Sequence, residues 1–252
     1  MRTNTLGRIG MDFVKACGRI EFKDKQYTAG LSKVLSTLKD VKLKDGLVAE
    51  TITPGRGGLG GECMSYVRKR ATKPLLEWIA ANPEHTFWKD GTPEGYSGLL
   101  EGVDVQFTEE GIWSAYLLND ITCSLPLWWH ANYAAIDYVF DMDCLTKICK
   151  LKDEEVKTLL SKSQDQVSTH EDRFHYKSEL DKWLVAKLSQ EETILPKVTI
   201  LDGTHAVIEY TYWSDWHGLV FKTVKAEMKN GRISFDEGND ECLAHYDCGI
   251  MF

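Results

Sequence analysis

Two dipeptides constrain this chain most: Asp202-Gly203 and Asn230-Gly231, each set between runs that alternate apolar and polar residues. Tight hairpin turns of the primed types need left-handed backbone, which glycine, asparagine and aspartate adopt most readily. Lys197 to Leu201 and His205 to Trp213 therefore read as one hairpin, and Leu219 to Lys229 with Arg232 to Phe235 as a second. Alternation from Cys242 to Phe252 adds a final strand. The expectation is a C-terminal antiparallel sheet, a meander of at least four strands. Ile208, Tyr210, Val224 and Cys248 should turn inward, with Thr223, Lys225, Glu227 and Lys229 on the solvent side.

Upstream, the patterns predict helices that flank this sheet, making the chain α+β. Leu31, Val34, Leu35 and Leu38 recur at helical spacing within Ala29 to Lys39, and Leu47 to Ile52 reads as a strand. A helix is expected from Glu62 to about Thr72. Pro74 separates it from another, Leu75 to Ala81, which Asn82-Pro83 ends. Val103 to Thr108 and Tyr133 to Asp141 alternate like strands, joined by an aromatic connection through Trp113, Trp128 and Trp129. Further helices are expected around Leu145 to Leu160 and over Ser178 to Leu188. With 252 residues, 43% of them hydrophobic, the chain can bury a core as a single α+β domain, 1–252. The Gly/Pro-rich loop 90–102 is the candidate internal boundary or lid.

The net charge of −8 opposes general nucleic-acid coating or binding to an anionic membrane surface. Seven cysteines at irregular spacing form no disulfide framework and point to free thiols in a reducing compartment. No apolar run reaches signal-peptide or membrane-spanning length, so the expected location is cytoplasmic, with no membrane partner.

The charge is segregated. Between Pro54 and Lys73 stand five cations and one anion, a window of +4 against −12 elsewhere. The same window holds Pro54-Gly55-Arg56-Gly57-Gly58-Leu59-Gly60-Gly61, where successive amides and a following helix start could meet an anion. Arg56, Gly57, Gly58, Gly60, Gly61, Arg68 and Arg70 are the expected ligand-binding residues, and an anionic, phosphate-bearing, nucleotide-like molecule the expected ligand. The spacing Gly55-x-Gly57-x-x-Gly60 resembles a dinucleotide-binding turn and also the acetyl-CoA pyrophosphate loop of N-acetyltransferases. The parallel strand with an acidic end that the first requires, and the preceding strands that the second requires, are missing. No residue role is carried over from either family.

Asp137, Asp141 and Asp143 share parity along Tyr133 to Asp143, so a continuous strand would present three carboxylates on one face to Mg²⁺ or Mn²⁺. That supports an alternative reading, a metal-dependent enzyme acting on nucleotides or phosphodiesters. Glu227-x-Lys229 is similar to the tail of the PD-(D/E)xK nuclease motif but has no assigned acidic partner. Cys242-x-x-His245-x-x-Cys248 has zinc-like spacing, yet strand parity puts its histidine opposite its cysteines. Neither His130, His170 nor His175 can be matched by spacing to a nucleophile, so no catalytic residue is assigned. An acidic surface and the Trp213/Trp216 loop leave a third reading open, a protein-interaction or inhibitor module with a protein partner.

Overall fold

A computed structural model describes residues 4–17, 27–53, 60–61, 64–85, 91–123, 128–129, 136–148, 194–214 and 217–244. In chain order the elements are α1 (Thr5–Cys17), β1 (Tyr27–Gly30), α2 (Ser32–Leu35), β2 (Val41–Leu43), β3 (Leu47–Thr53), β4 (Gly60–Gly61), β5 (Met64–Lys69) and α3 (Leu75–Ala81). There follow β6 (Tyr96–Ser97), a 3-10 turn (Leu99–Gly102), β7 (Val103–Val105), α4 (Glu109–Cys123), β8 (Trp128–Trp129) and β9 (Ile136–Tyr138). The C-terminal part is β10 (Lys197–Ile200), β11 (His205–Ser214), β12 (Gly218–Lys229) and β13 (Arg232–Ala244).

The expected α+β architecture is present. β10, β11, β12 and β13 form an antiparallel meander in that order, and β9 adds to the free end of β11. Asn230 and Gly231 both have positive φ, 53° and 71°, the backbone that a two-residue primed turn demands. The first hairpin closes over a longer loop. The Asp202 carboxylate accepts the Thr204 and His205 amides at 2.7 and 2.8 Å, holding that carboxyl well below its usual range.

β13 is longer than alternation suggests. The expected break after Phe235 does not occur, and one strand runs on to Ala244. A bulge makes this possible. Val224 pairs with Glu237 but Lys222 pairs with Asp240, so one residue too many stands on β13. Gly238 lies in that bulge, where a Cβ would come within 2.5 Å of the Thr223 carbonyl oxygen. Cys242, expected to face inward, is exposed beside Asp240 on the uncovered margin of the sheet, its thiol donating to the His217 carbonyl. Cys248 and His245 lie outside the described residues.

One face of the meander is covered by α4. Gly111 to Leu118 are all buried, including Ile112, Trp113, Tyr116, Leu117 and Leu118. A helix apolar all round shows no 3.6-residue stripe, which is why the sequence reads only as an aromatic connection there. Its start was nonetheless encoded: the Thr108 hydroxyl accepts the Gly111 amide at 3.0 Å and donates to Asp40 at 2.6 Å, and Glu109 and Glu110 occupy the first turn. α1 docks on α4 through the Trp113 indole, which donates to the Leu6 carbonyl at 2.8 Å. Gly10 lets α1 approach Phe140, whose ring would lie 2.1 Å from any Cβ there. A single apolar cluster runs from Leu6 through Val67, Ile112, Tyr116, Ile208 and Val224 to Ile233.

The second sheet, in order β1-β3-β5-β6, shields a smaller cluster of Ile52, Tyr66, Leu75 and Tyr96. Here the sequence misled. The segment expected as a helix, Glu62 to about Thr72, holds strand β5, because its charged Arg68 is an inward residue, not a solvent one. α2 is shorter than expected and follows a strand, while Leu47–Thr53 and Leu75–Ala81 appear as read. The loop 90–102 contains β6 and the 3-10 turn, with Tyr96 and Leu99 buried. Among the described residues, no helix is long and apolar enough to cross a membrane.

Candidate functional site

The expected anion-binding residues do not converge. Arg68 gives its guanidinium to Glu50 in a bidentate pair, Nη2 to Oε1 at 2.6 Å and Nε to Oε2 at 2.9 Å, and its Nη1 donates to the Thr72 carbonyl at 2.7 Å. Tyr66 donates to the same Glu50 oxygen at 2.7 Å and accepts the Leu75 amide at 3.1 Å. Burial and the adjacent carboxylate push the Tyr66 phenol far above its ordinary pKa. Every partner in this group belongs to the protein. Arg70 is exposed at the far end of β5 from Gly61, and a six-residue strand spans roughly 17 Å, where a helix would have folded the cations back. Gly60 and Gly61 pair with Trp129 and Trp128 as a short ladder. Arg56, Gly57 and Gly58 lie outside the described residues.

The aspartate trio is also dispersed. Strand β9 ends at Tyr138, so the shared parity that would align Asp137, Asp141 and Asp143 does not apply. Asp137 lies within β9 opposite Trp213, Asp143 is exposed, and Asp141 accepts the Cys144 amide at 2.8 Å as the cap of the helix over 142–148. Among the described residues, no group of three or more His, Cys, Asp or Glu side chains could hold a metal ion. Glu227 and Lys229 are solvent-facing, as their parity predicts. Trp213 is buried in the sheet, while Trp216, His130, His170 and His175 lie outside the described residues.

A different constellation forms where α4 crosses the meander. On β12 the inward positions are Val220, Lys222, Val224 and Ala226, so a lysine stands in an otherwise apolar row; its side chain is 11% exposed. Its Nζ donates to Glu237 Oε2 at 2.5 Å and lies 4.0 Å from Asp240 Oδ1. These two acids would point to opposite faces of a regular strand, since three residues separate them. The bulge at Gly238 returns both to the inner face beside Lys222. Their side chains are 54% and 46% exposed, forming a rim open to solvent.

Below the rim the site is aromatic. Tyr212 donates to Asp240 Oδ2 at 3.1 Å. Tyr138, brought in by β9, stacks between Phe140 and Tyr210 with ring centroids 5.4 Å apart in each pair. The hydroxyls of Tyr116 and Tyr210 satisfy each other at 2.8 Å, and burial drives both phenols far above their ordinary pKa. From α4, Asp120 accepts a hydrogen bond from the Tyr138 hydroxyl. Burial pushes the Asp120 carboxyl up to about 6 from its ordinary 3.8; Lys222 opposes that shift and Glu237 adds to it.

A carboxyl poised near neutral pH, beside a lysine and hydrogen-bonding tyrosines, can exchange a proton or charge with a bound molecule. One clue to this site was legible in the sequence: Lys222 occupies a core-parity position in a strand read as apolar on that face. Asp120 and Asp240 carried no comparable signal. Comparison with known proteins finds no matching family model, no similar curated protein and no similar solved structure.

Proposed function

We propose that the protein binds a small polar organic molecule at the rim of the α4–meander contact, through Asp120, Tyr138, Tyr212, Lys222, Glu237 and Asp240. Asp120 carries this reading. Holding a carboxyl under conditions that raise its pKa to about 6 opposes folding above that pH, by at most about 3 kcal/mol. A purely structural residue at that position gains nothing from such a cost, whereas a ligand that neutralises or protonates the group recovers it. The thiols of Cys17, Cys144 and Cys242 are free, and burial pushes that of Cys17 up to about 12, which keeps it inert. Free thiols support a reducing compartment, and we place the protein in the cytoplasm.

The test is a thermal-shift screen of small polar organic compounds on the wild type and on Asp240→Asn and Tyr212→Phe. Compounds that stabilise the wild type should stabilise either variant less. Stabilisers indifferent to both substitutions would place the site elsewhere.

A further inference from the structure

The charge balance of this site identifies the kind of molecule it would take. Asp120, Glu237 and Asp240 supply three carboxylates and Lys222 the one cation among the residues that meet there. From α4 come Tyr116 and Asp120, from β9 Tyr138, from β11 Tyr210 and Tyr212, from β12 Lys222, and from β13 Glu237 and Asp240. The tyrosines add ring faces, whose negative quadrupoles favour a cation, and hydroxyls that donate to the acids without neutralising them.

Lys222 shows that an alkylammonium fits. Its Nζ sits against Glu237 at 2.5 Å but stands 4.0 Å from Asp240 Oδ1, beyond hydrogen-bond reach. Asp240 is held instead through its other oxygen by Tyr212. A phosphate or carboxylate ligand would meet the excess of acids on the rim, while a neutral ligand would leave that excess in place.

We infer that the ligand of this site is an organic cation, an amine or quaternary ammonium group on a small apolar body, seated between Asp240, Asp120 and the Tyr138 and Tyr212 rings. The inference rests on the ligand-binding reading above and adds the sign of the ligand's charge. It carries a linkage. A cation beside Asp120 favours the ionised carboxyl, so its binding takes proton release from Asp120 and tightens as pH rises through the range where that group titrates. Lys222 remains paired with Glu237, and no covalent step is involved.

The experiment is a calorimetric and NMR titration of the whole chain with three probes: choline, its neutral isostere 3,3-dimethyl-1-butanol, and inorganic phosphate. Choline should bind saturably, about tenfold more tightly near pH 7.5 than near pH 5. Asp240→Asn, a change on the exposed rim that leaves the core intact, should weaken choline about tenfold. Asp120→Asn should fold and bind with its pH dependence flattened. Equal binding of choline and its neutral isostere at the Tyr138 and Tyr212 resonances would overturn the cation assignment and leave the ligand-binding site standing. Phosphate binding there in place of choline would overturn the assignment in the same way. If none of the three probes moves those resonances, and the compound screen finds no stabiliser sensitive to Asp240→Asn, the inference and the reading beneath it both fail.

Discussion

The molecule contains two groups of buried or half-buried charge, and they are built on opposite principles. In the Glu50–Arg68–Tyr66 group, one carboxylate meets one guanidinium through two hydrogen bonds, a phenol fills the remaining acceptor position, and backbone groups complete the set. It is neutral, closed and matched atom for atom. In the Asp120–Lys222–Glu237–Asp240 group, three carboxylates share one ammonium, one approach is too long to be a hydrogen bond, and two acids face water. A matched pair holds two strands together. An unmatched one keeps interaction capacity in reserve, which is what a binding site requires.

The strongest way to break this contrast is at Arg68. Arg68→Met leaves Glu50 buried without its counter-ion and should lower stability by about 3 to 5 kcal/mol in chemical denaturation. A loss under about 1 kcal/mol would mean that the first group is no more structural than the second.

Asp120 gives the opposite sign. Its native pKa lies above the unfolded value, so both states are protonated below about pH 4, and the native state is progressively disfavoured as pH rises toward about 6 and beyond. Asp120→Asn should therefore stabilise the protein by about 1 to 3 kcal/mol near pH 7.5, have little effect near pH 4, and flatten the slope between. Denaturant midpoints across that range check it. A variant that is destabilised at neutral pH would make Asp120 a structural partner of Tyr138 instead.

Gly238 sharpens the comparison, because only the second group depends on a bulge. A methyl at that position would meet the Thr223 carbonyl oxygen at 2.5 Å, so Gly238→Ala should cost about 1 to 2 kcal/mol. It should also shift the Glu237 and Asp240 resonances while leaving those of Arg68 in place. The smallest effect is expected at Glu227, exposed on the opposite face of the same sheet: Glu227→Gln should stay within about 0.5 kcal/mol of wild type.

The same contrast explains what the sequence could reveal. The meander was legible because its turns need particular backbone, and Asn230-Gly231 supplies it; its inward residues Ile208, Tyr210 and Val224 followed from parity. α4 was not legible, because a helix buried on all sides erases its own period. Arg68 was misassigned because a cation next to other cations reads as solvent-facing, and its partner Glu50 lies 18 positions away on another strand. Glu237 and Asp240 could not be placed on one face without the bulge. Only Lys222, at a core-parity position, broke the local pattern openly.

The account rests on Asp120 being a carboxyl held near neutrality by burial against the Tyr138–Lys222 cluster, and carboxyl-carbon NMR of that residue across pH tests it most directly. The predicted titration midpoint is about 6, moving higher in Lys222→Met because the opposing ammonium is gone. A midpoint at the ordinary 3.8, unmoved by Lys222→Met, would contradict it.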